Sequence, residues 1–245
     1  MAYLRDQQLL FIHIPKNAGK SIEVALGLAT DHKLTRLGRR SLLNRAFTLM
    51  QRVTSNPAAR DRFHGPLDVT LCSQHLTLQE IEILQLVSYP DSLSEVRKFA
   101  VFRDPFDRIR SSYKQWNQSK DIKKRLNFED FCCQWPTEAS TSHNLLAHRR
   151  QQIEFIRDTT GKVGIDKLIN FSKLSEGYEV LRKEWQLQCK ELTFVGKQEA
   201  SENLTFTSKA EAAIRSDYSA DIRLFDAIRD YAIIEKDAID SFLRH

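Results

Sequence analysis

Two short stretches of the sequence gather the residue types that handle phosphate and sulfate groups. The first is Pro15-Lys16-Asn17-Ala18-Gly19-Lys20-Ser21. Its small residues let backbone N–H groups approach an oxyanion, Lys16 and Lys20 bring positive charge, and a helix opening at its end adds the positive pole of aligned peptide dipoles. The second is Arg103-Asp104-Pro105-Phe106-Asp107-Arg108-Ile109-Arg110-Ser111-Ser112-Tyr113. Here a guanidinium at the start of a helix and hydroxyl and guanidinium groups at Ser111 and Arg110 have the chemistry to clamp one anionic group. Gly19-Lys20-Ser21 also ends like a kinase P-loop, although the position of that motif's first glycine is Ile14.

The elements that must position these residues are legible from apolar patterning. Residues 9–14 form a nearly continuous apolar run stopped at Pro15, the signature of a buried parallel strand, with a helix expected over 21–28. Further strands are expected at 68–72, 98–102 and 167–171. Helices are expected at 78–87, 106–116, 128–135, 145–157, 176–189, 210–215 and 220–242. Strands alternating with helices predict an α/β fold with a mainly parallel central sheet flanked by helices, in a single domain over 1–245 without repeats. Residues 30–64 carry eight Lys and Arg against two Asp and include leucines at helical spacing, so they are expected to form a basic helical insertion or lid.

Composition narrows the class. The 245 residues are 41% hydrophobic and 28% charged, with only 8 Gly and 6 Pro, which excludes low-complexity disorder and collagen-like fibre. No apolar stretch approaches the roughly 20 residues that cross a bilayer, and the N-terminus lacks the pattern of a secretion signal. The four cysteines, Cys72, Cys132, Cys133 and Cys189, have no metal-ligand spacing and read as reduced thiols. A net charge of +5 weakly favours an anionic ligand.

Taken together and in this order, the two stretches resemble the carbohydrate O-sulfotransferases that use 3′-phosphoadenylyl sulfate (PAPS), especially the heparan 2-O and chondroitin 4-O kind. In that family a strand runs into a His-Ile-Pro-Lys-Thr-Ala/Gly-x-Thr/Ser-Ser loop that holds the 5′-phosphosulfate. Here Phe11-Ile12-His13-Ile14-Pro15-Lys16-Asn17-Ala18-Gly19-Lys20-Ser21 is similar, with Asn17 in place of the usual Thr and Lys20 where a hydroxyl is common. A later strand of the family ends in Arg-Asp-Pro-x-x-Arg-x-x-Ser-x-Tyr, which grips the 3′-phosphate. Arg103 to Tyr113 reproduces that spacing. Weaker similarity extends over most of the chain outside 30–64.

The resemblance implies a P-loop-like sulfotransferase fold and transfer of a sulfuryl group from PAPS to a carbohydrate hydroxyl, without a metal. The ligands of PAPS, or of its product PAP, would be Pro15, Lys16, Asn17, Ala18, Gly19, Lys20, Ser21, Arg103 and Ser111. Such a step needs stabilisation of the departing phosphate oxygen, assigned to Lys16, and a base for the attacking hydroxyl. His75 is the expected base, being placed between a strand and a helix as in heparan 2-O relatives and having a pKa range suited to neutral pH. His64, beside Gly65-Pro66, is its rival, and His13 reads as structural. Simpler readings stand beside these: Lys16 as a solvated lysine, Arg103 paired with Asp104 or Asp107, Ser111 as a small residue in a packed helix.

Residues 30–64 are expected to serve an anionic polysaccharide acceptor. The competing functions are a kinase using Mg-ATP and a polyanion-binding module without turnover, although no nucleic-acid-binding motif with interleaved aromatics is present. A short lead before the first strand suggests a cytoplasmic, bacterial enzyme, and a Golgi-lumen location only if the sequence is a trimmed catalytic domain.

Overall fold

The computed structural model describes residues 2–4, 6–27, 75–83, 92–119, 126–133, 147–194 and 204–244. The basic segment 30–64, His64 and the strand expected at 68–72 lie outside the described residues.

Five strands form one sheet in the order β1 (Ala2–Leu4), β2 (Leu9–Ile12), β3 (Arg97–Phe102), β4 (Lys167–Asn170), β5 (Ile233–Glu235). β2, β3 and β4 are parallel to one another, with Ile12 level with Ala100 and Phe102 level with Asn170. β1 and β5 run antiparallel at the two sides. The sheet is therefore mixed, parallel only in its centre. The expected α/β sheet with a parallel centre flanked by helices is present, with the antiparallel β1 and β5 added at its sides: three-residue strands are too short to leave a periodic signal, so β1 and β5 are silent in the sequence.

The parallel strands are buried on both faces, as their unbroken apolar runs require. Leu10, Ile12, Ala100, Phe102 and Leu168 point into one core, packed against α2 (Leu78–Ile83), α5 (Gln152–Ile156), α8 (Ser219–Ile228) and α9 (Lys236–Arg244). Leu9, Phe11, Phe99, Val101 and Ile169 point the opposite way, against α1 (Gly19–Ala25) and α6 (Leu174–Glu184). A third, smaller cluster joins α3 (Pro105–Ser119), α4 (Phe128–Cys133) and α7 (Ser208–Asp217) through Ile109, Trp116, Phe131 and Ile214. None of the helices among the described residues is long and apolar enough to cross a membrane.

Local chemistry sets the element ends. Asp104 caps α3, its Oδ1 accepting from the N–H of Phe106 (2.7 Å) and of Asp107 (3.2 Å), with Pro105 in the first helical position. Thr77 and Glu80 close a reciprocal capping box on α2. The single helix expected over 220–242 is divided into α8 and α9 with β5 between them. Asn170, at the end of β4, donates to the carbonyls of Ile228 and Arg229 (both 3.1 Å), satisfying the end of α8. The β-branched pair Ile233-Ile234 then joins the sheet. The helix expected over 176–189 ends earlier, at Glu184, and Gln186 takes a left-handed conformation.

Candidate functional site

Because β2 and β3 are adjacent and parallel, the loops that leave their carboxyl ends meet. The first loop turns sharply. Lys16 (φ 71°) and Ala18 (φ 59°) both occupy left-handed backbone, a conformation costing about 1 kcal/mol or more for each non-glycine residue, so the surroundings must hold it. Asn17 does so. Its buried Nδ2 donates to the carbonyl of Val101 on β3 (2.7 Å) and to Oε1 of Gln152 at the start of α5 (2.6 Å). Thus Asn17 spends its side chain inside the fold and faces the loop's outer side with backbone alone. Ser21 is buried as well, whereas Lys20 is exposed.

Arg103 closes the junction. Its Nη1 donates to the carbonyl of Lys16 (3.0 Å), and its guanidinium carbon lies 4.3 Å from the ring centre of Phe171, the residue that follows β4. Three strand ends therefore converge on one side chain. Arg103 Nε is buried and has no hydrogen-bond partner among the described residues. Lys16 reaches across to Gln115 of α3 (Nζ–Oε1 2.9 Å). Burial, reinforced by the charges of Arg103 and Lys20, lowers the Lys16 ammonium to about 8. The charges of Arg103 and Lys20 thus add to the cost of the buried Lys16 ammonium, a condition that a bound anion would relieve.

Other members of the second motif have different employment. Arg108 is fully buried and donates to the carbonyls of Pro15 (3.2 Å), Arg150 (2.9 Å), His148 (3.3 Å) and Ala147 (3.4 Å). Burial lowers its pKa, with Tyr218 and Asp221 acting in the opposite direction. It is a clamp between the first loop and residues 147–150. Arg110 is held by the carbonyl of Leu204 (3.1 Å), by Asp107 (2.7 Å) and over the ring of Phe206 (4.3 Å). Ser111 is half-buried on α3 and engages neither Arg103 nor Lys16. Of the expected site residues, Lys16 and Arg103 are joined directly, through the Lys16 carbonyl.

Gln152, which no motif marks, is the hub of the junction. Its Oε1 accepts from Asn17 and from the N–H of Arg103 (3.0 Å), and its Nε2 donates to the carbonyl of Arg103 (2.8 Å). Its own N–H and that of Ile153 donate to the carboxylate of Asp221 (2.7 and 3.0 Å), whose pKa burial raises to about 6 against the pull of Arg108.

Beneath the first loop lie three histidines. His75 Nδ1 is 3.1 Å from the carbonyl of His13, and since a carbonyl only accepts, this nitrogen carries the proton. The His75 ring stands edge-on to those of His13 (4.6 Å between centres) and His148 (5.6 Å). Burial, then the neighbouring His13 and His148, hold His75 well below its ordinary pKa, and burial with Arg108 and Lys16 pushes His148 down to about 3. His13 bonds through Nδ1 to Glu23 (2.6 Å). His148 carried no sequence signal beyond its residue type, and Glu23 looked like any helical glutamate.

Beside the second junction a cleft of about 270 Å³ opens between Asp104, Phe106 and the residues Arg215, Phe225 and Arg229. Among the described residues no group of three or more His, Cys, Asp or Glu side chains has a geometry for holding a metal. No protein-family model, curated protein or solved structure matches the chain.

Proposed function

We propose that the chain is a sulfotransferase that moves the sulfuryl group of PAPS to a hydroxyl, the acceptor being a carbohydrate. The observation that carries this reading is the convergence of Lys16 and Arg103 at the carboxyl ends of two adjacent parallel strands, where open α/β sheets place their ligands. The residues fit a phosphosulfate: Arg103 Nε is buried without a hydrogen-bond partner among the described residues, and Lys16 sits near the like charges of Arg103 and Lys20.

On this reading PAPS supplies the group transferred, and the protein supplies position, charge and a proton acceptor. The N–H groups of residues 18–20 and the Lys16 ammonium hold the phosphate end, the Asn17 N–H being bonded to the Ile14 carbonyl, and Arg103 holds a second anionic group. With its ammonium at about 8, Lys16 is charged at neutral pH and meets the negative charge that builds on the leaving oxygen. His75, neutral and protonated at Nδ1, has its Nε2 lone pair available to take the hydroxyl proton. A negative charge bound in the loop would favour the protonated ring and so raise its pKa from its lowered value. The cleft lined by Phe106, Phe225, Arg215 and Arg229 is the candidate acceptor site, its arginines paired with Glu211 and Asp226 until an acidic group of the acceptor competes for them.

Metal-free binding of PAP by the purified chain is the test. Saturable binding of Mg-ATP with none of PAP would overturn the reading in favour of a kinase.

A further inference from the structure

The three histidines under the first loop are connected by a feature that the proposed transfer leaves unused. Glu23 sits on α1 with its side chain 2% exposed, and its Oε1 accepts from His13 Nδ1 over 2.6 Å. A buried carboxylate is tolerated only where hydrogen bonds replace its hydration, so this contact holds both side chains in one rotamer. The opposite edge of the His13 ring lies against the first residue of α1. A Cβ added to Gly19 would fall 1.8 Å from His13 Nε2, which means the ring occupies the space that any other residue at position 19 would need. His13 is thus wedged between Glu23 and Gly19, at the base of the loop that carries Lys16. From the same residue the backbone carbonyl accepts the Nδ1 proton of His75, while the His13 ring meets the His75 ring edge-on.

We infer that Glu23 and His13 are positioning residues that lock His75 in its Nδ1-protonated tautomer and so couple the placement of the base to the shape of the anion-binding loop. The inference rests on the reading of His75 as the base and deepens it. A free neutral histidine side chain prefers the proton on Nε2, so a ring protonated on Nδ1 needs an acceptor there, and here that acceptor is the His13 carbonyl at the base of the loop. With the proton on Nδ1, the lone pair sits on Nε2. In the transfer step the acceptor O–H bond breaks, its proton passes to Nε2 and its oxygen bonds to sulfur. The bond between sulfur and the 5′-phosphate oxygen breaks, and PAP leaves with that electron pair. If Nε2 instead held the proton, the lone pair would sit on Nδ1, turned toward the His13 carbonyl oxygen, and Nε2 could not accept the hydroxyl proton. Glu23 therefore governs the step without touching substrate.

The test uses nitrogen NMR of the full chain labelled with 15N-histidine, the His75 signals being assigned by their loss in His75→Asn. In the wild type His75 is expected as a single Nδ1–H tautomer at pH 7. In Glu23→Gln a mixture containing the Nε2–H form is expected, and Glu23→Asp should restore a larger Nδ1–H share than Glu23→Gln. An Nε2–H tautomer in the wild type overturns the inference outright, even if every Glu23 variant fails to fold. A folded Glu23→Gln protein that keeps the pure Nδ1–H tautomer overturns it as well. PAP titration of the same wild-type sample separates the two ideas: absence of PAP binding removes the sulfotransferase reading, whereas PAP binding with an unchanged tautomer in Glu23→Gln removes only the role of Glu23 and His13.

Discussion

Arg103 donates to the main-chain carbonyl of Lys16 across 3.0 Å, so the second strand-to-helix junction holds the first by a side chain bound to backbone. This contact fixes where the Lys16 ammonium begins its reach, and at the same point Arg103 Nε has no partner among the described residues. Its strength comes from a guanidinium donor, worth about 1.5–3 kcal/mol for a charged hydrogen bond.

Arg103→Ala is expected to weaken PAP binding by about 100-fold. Arg103→Lys keeps a positive charge but not the fork that spans Lys16 and Phe171, and a loss of about 10-fold is expected. Calorimetric titration of both variants checks this. Unchanged affinity in Arg103→Ala would remove the second junction from the site.

Binding should depend on pH through Lys16. A bound anion favours the charged ammonium, and in the free protein that group loses its proton near pH 8. Affinity for PAP should then hold steady from about pH 7 to the Lys16 pKa and fall above it by about tenfold per pH unit, the slope of a single proton. Lys16→Met should bind more weakly, by about 10- to 100-fold, and show no break near pH 8. Titrations between pH 7 and 9.5 read both features.

Asn17 satisfies Val101 and Gln152 from inside the fold, so its removal should cost stability. Asn17→Ala leaves both acceptors short of a donor, and a loss of about 2–3 kcal/mol in urea unfolding is expected. Asn17→Thr, which installs the usual residue of the resembled family, keeps one donor and should cost less. A loss below about 0.5 kcal/mol in Asn17→Ala would mean that the loop is held elsewhere.

Much of this arrangement was legible in the sequence, and the rest was hidden for physical reasons. The runs ending at Ile14 and Phe102 are apolar on both faces, as central strands must be, and the residue types after them announce anion chemistry. β1 and β5 are too short to show a period, and residues 220–242 keep helical spacing straight through the turn where Asn170 takes the last carbonyls of α8. Asn17 sits among phosphate-binding residues in sequence, yet its side chain points inward. Nothing local in the sequence says which way it turns. Gln152 and Glu23 are ordinary polar residues whose importance arises only from partners 135 and 10 positions away.

The buried carboxylate of Asp221 gives a pH signature in stability. Its folded pKa, about 6, lies above the ordinary value of 3.8, so the folded state binds the extra proton. The stability this contributes is present below pH 3.8 and is lost as pH rises through 6, a change of about 3 kcal/mol at 1.36 kcal/mol per pKa unit. Asp221→Asn cannot titrate, so the unfolding free energy of the wild type relative to this variant should fall by that order between pH 4 and 7. A difference independent of pH would show that Asp221 is ionised in the fold at its ordinary pKa.

The most direct measurement is calorimetric titration of the chain with PAP in the presence of a metal chelator, set beside the same titration with ATP and Mg²⁺. Tight, metal-independent binding of PAP that Arg103→Ala weakens by about 100-fold is the expected result. No heat with PAP, together with saturable binding of Mg-ATP, would contradict the sulfotransferase reading.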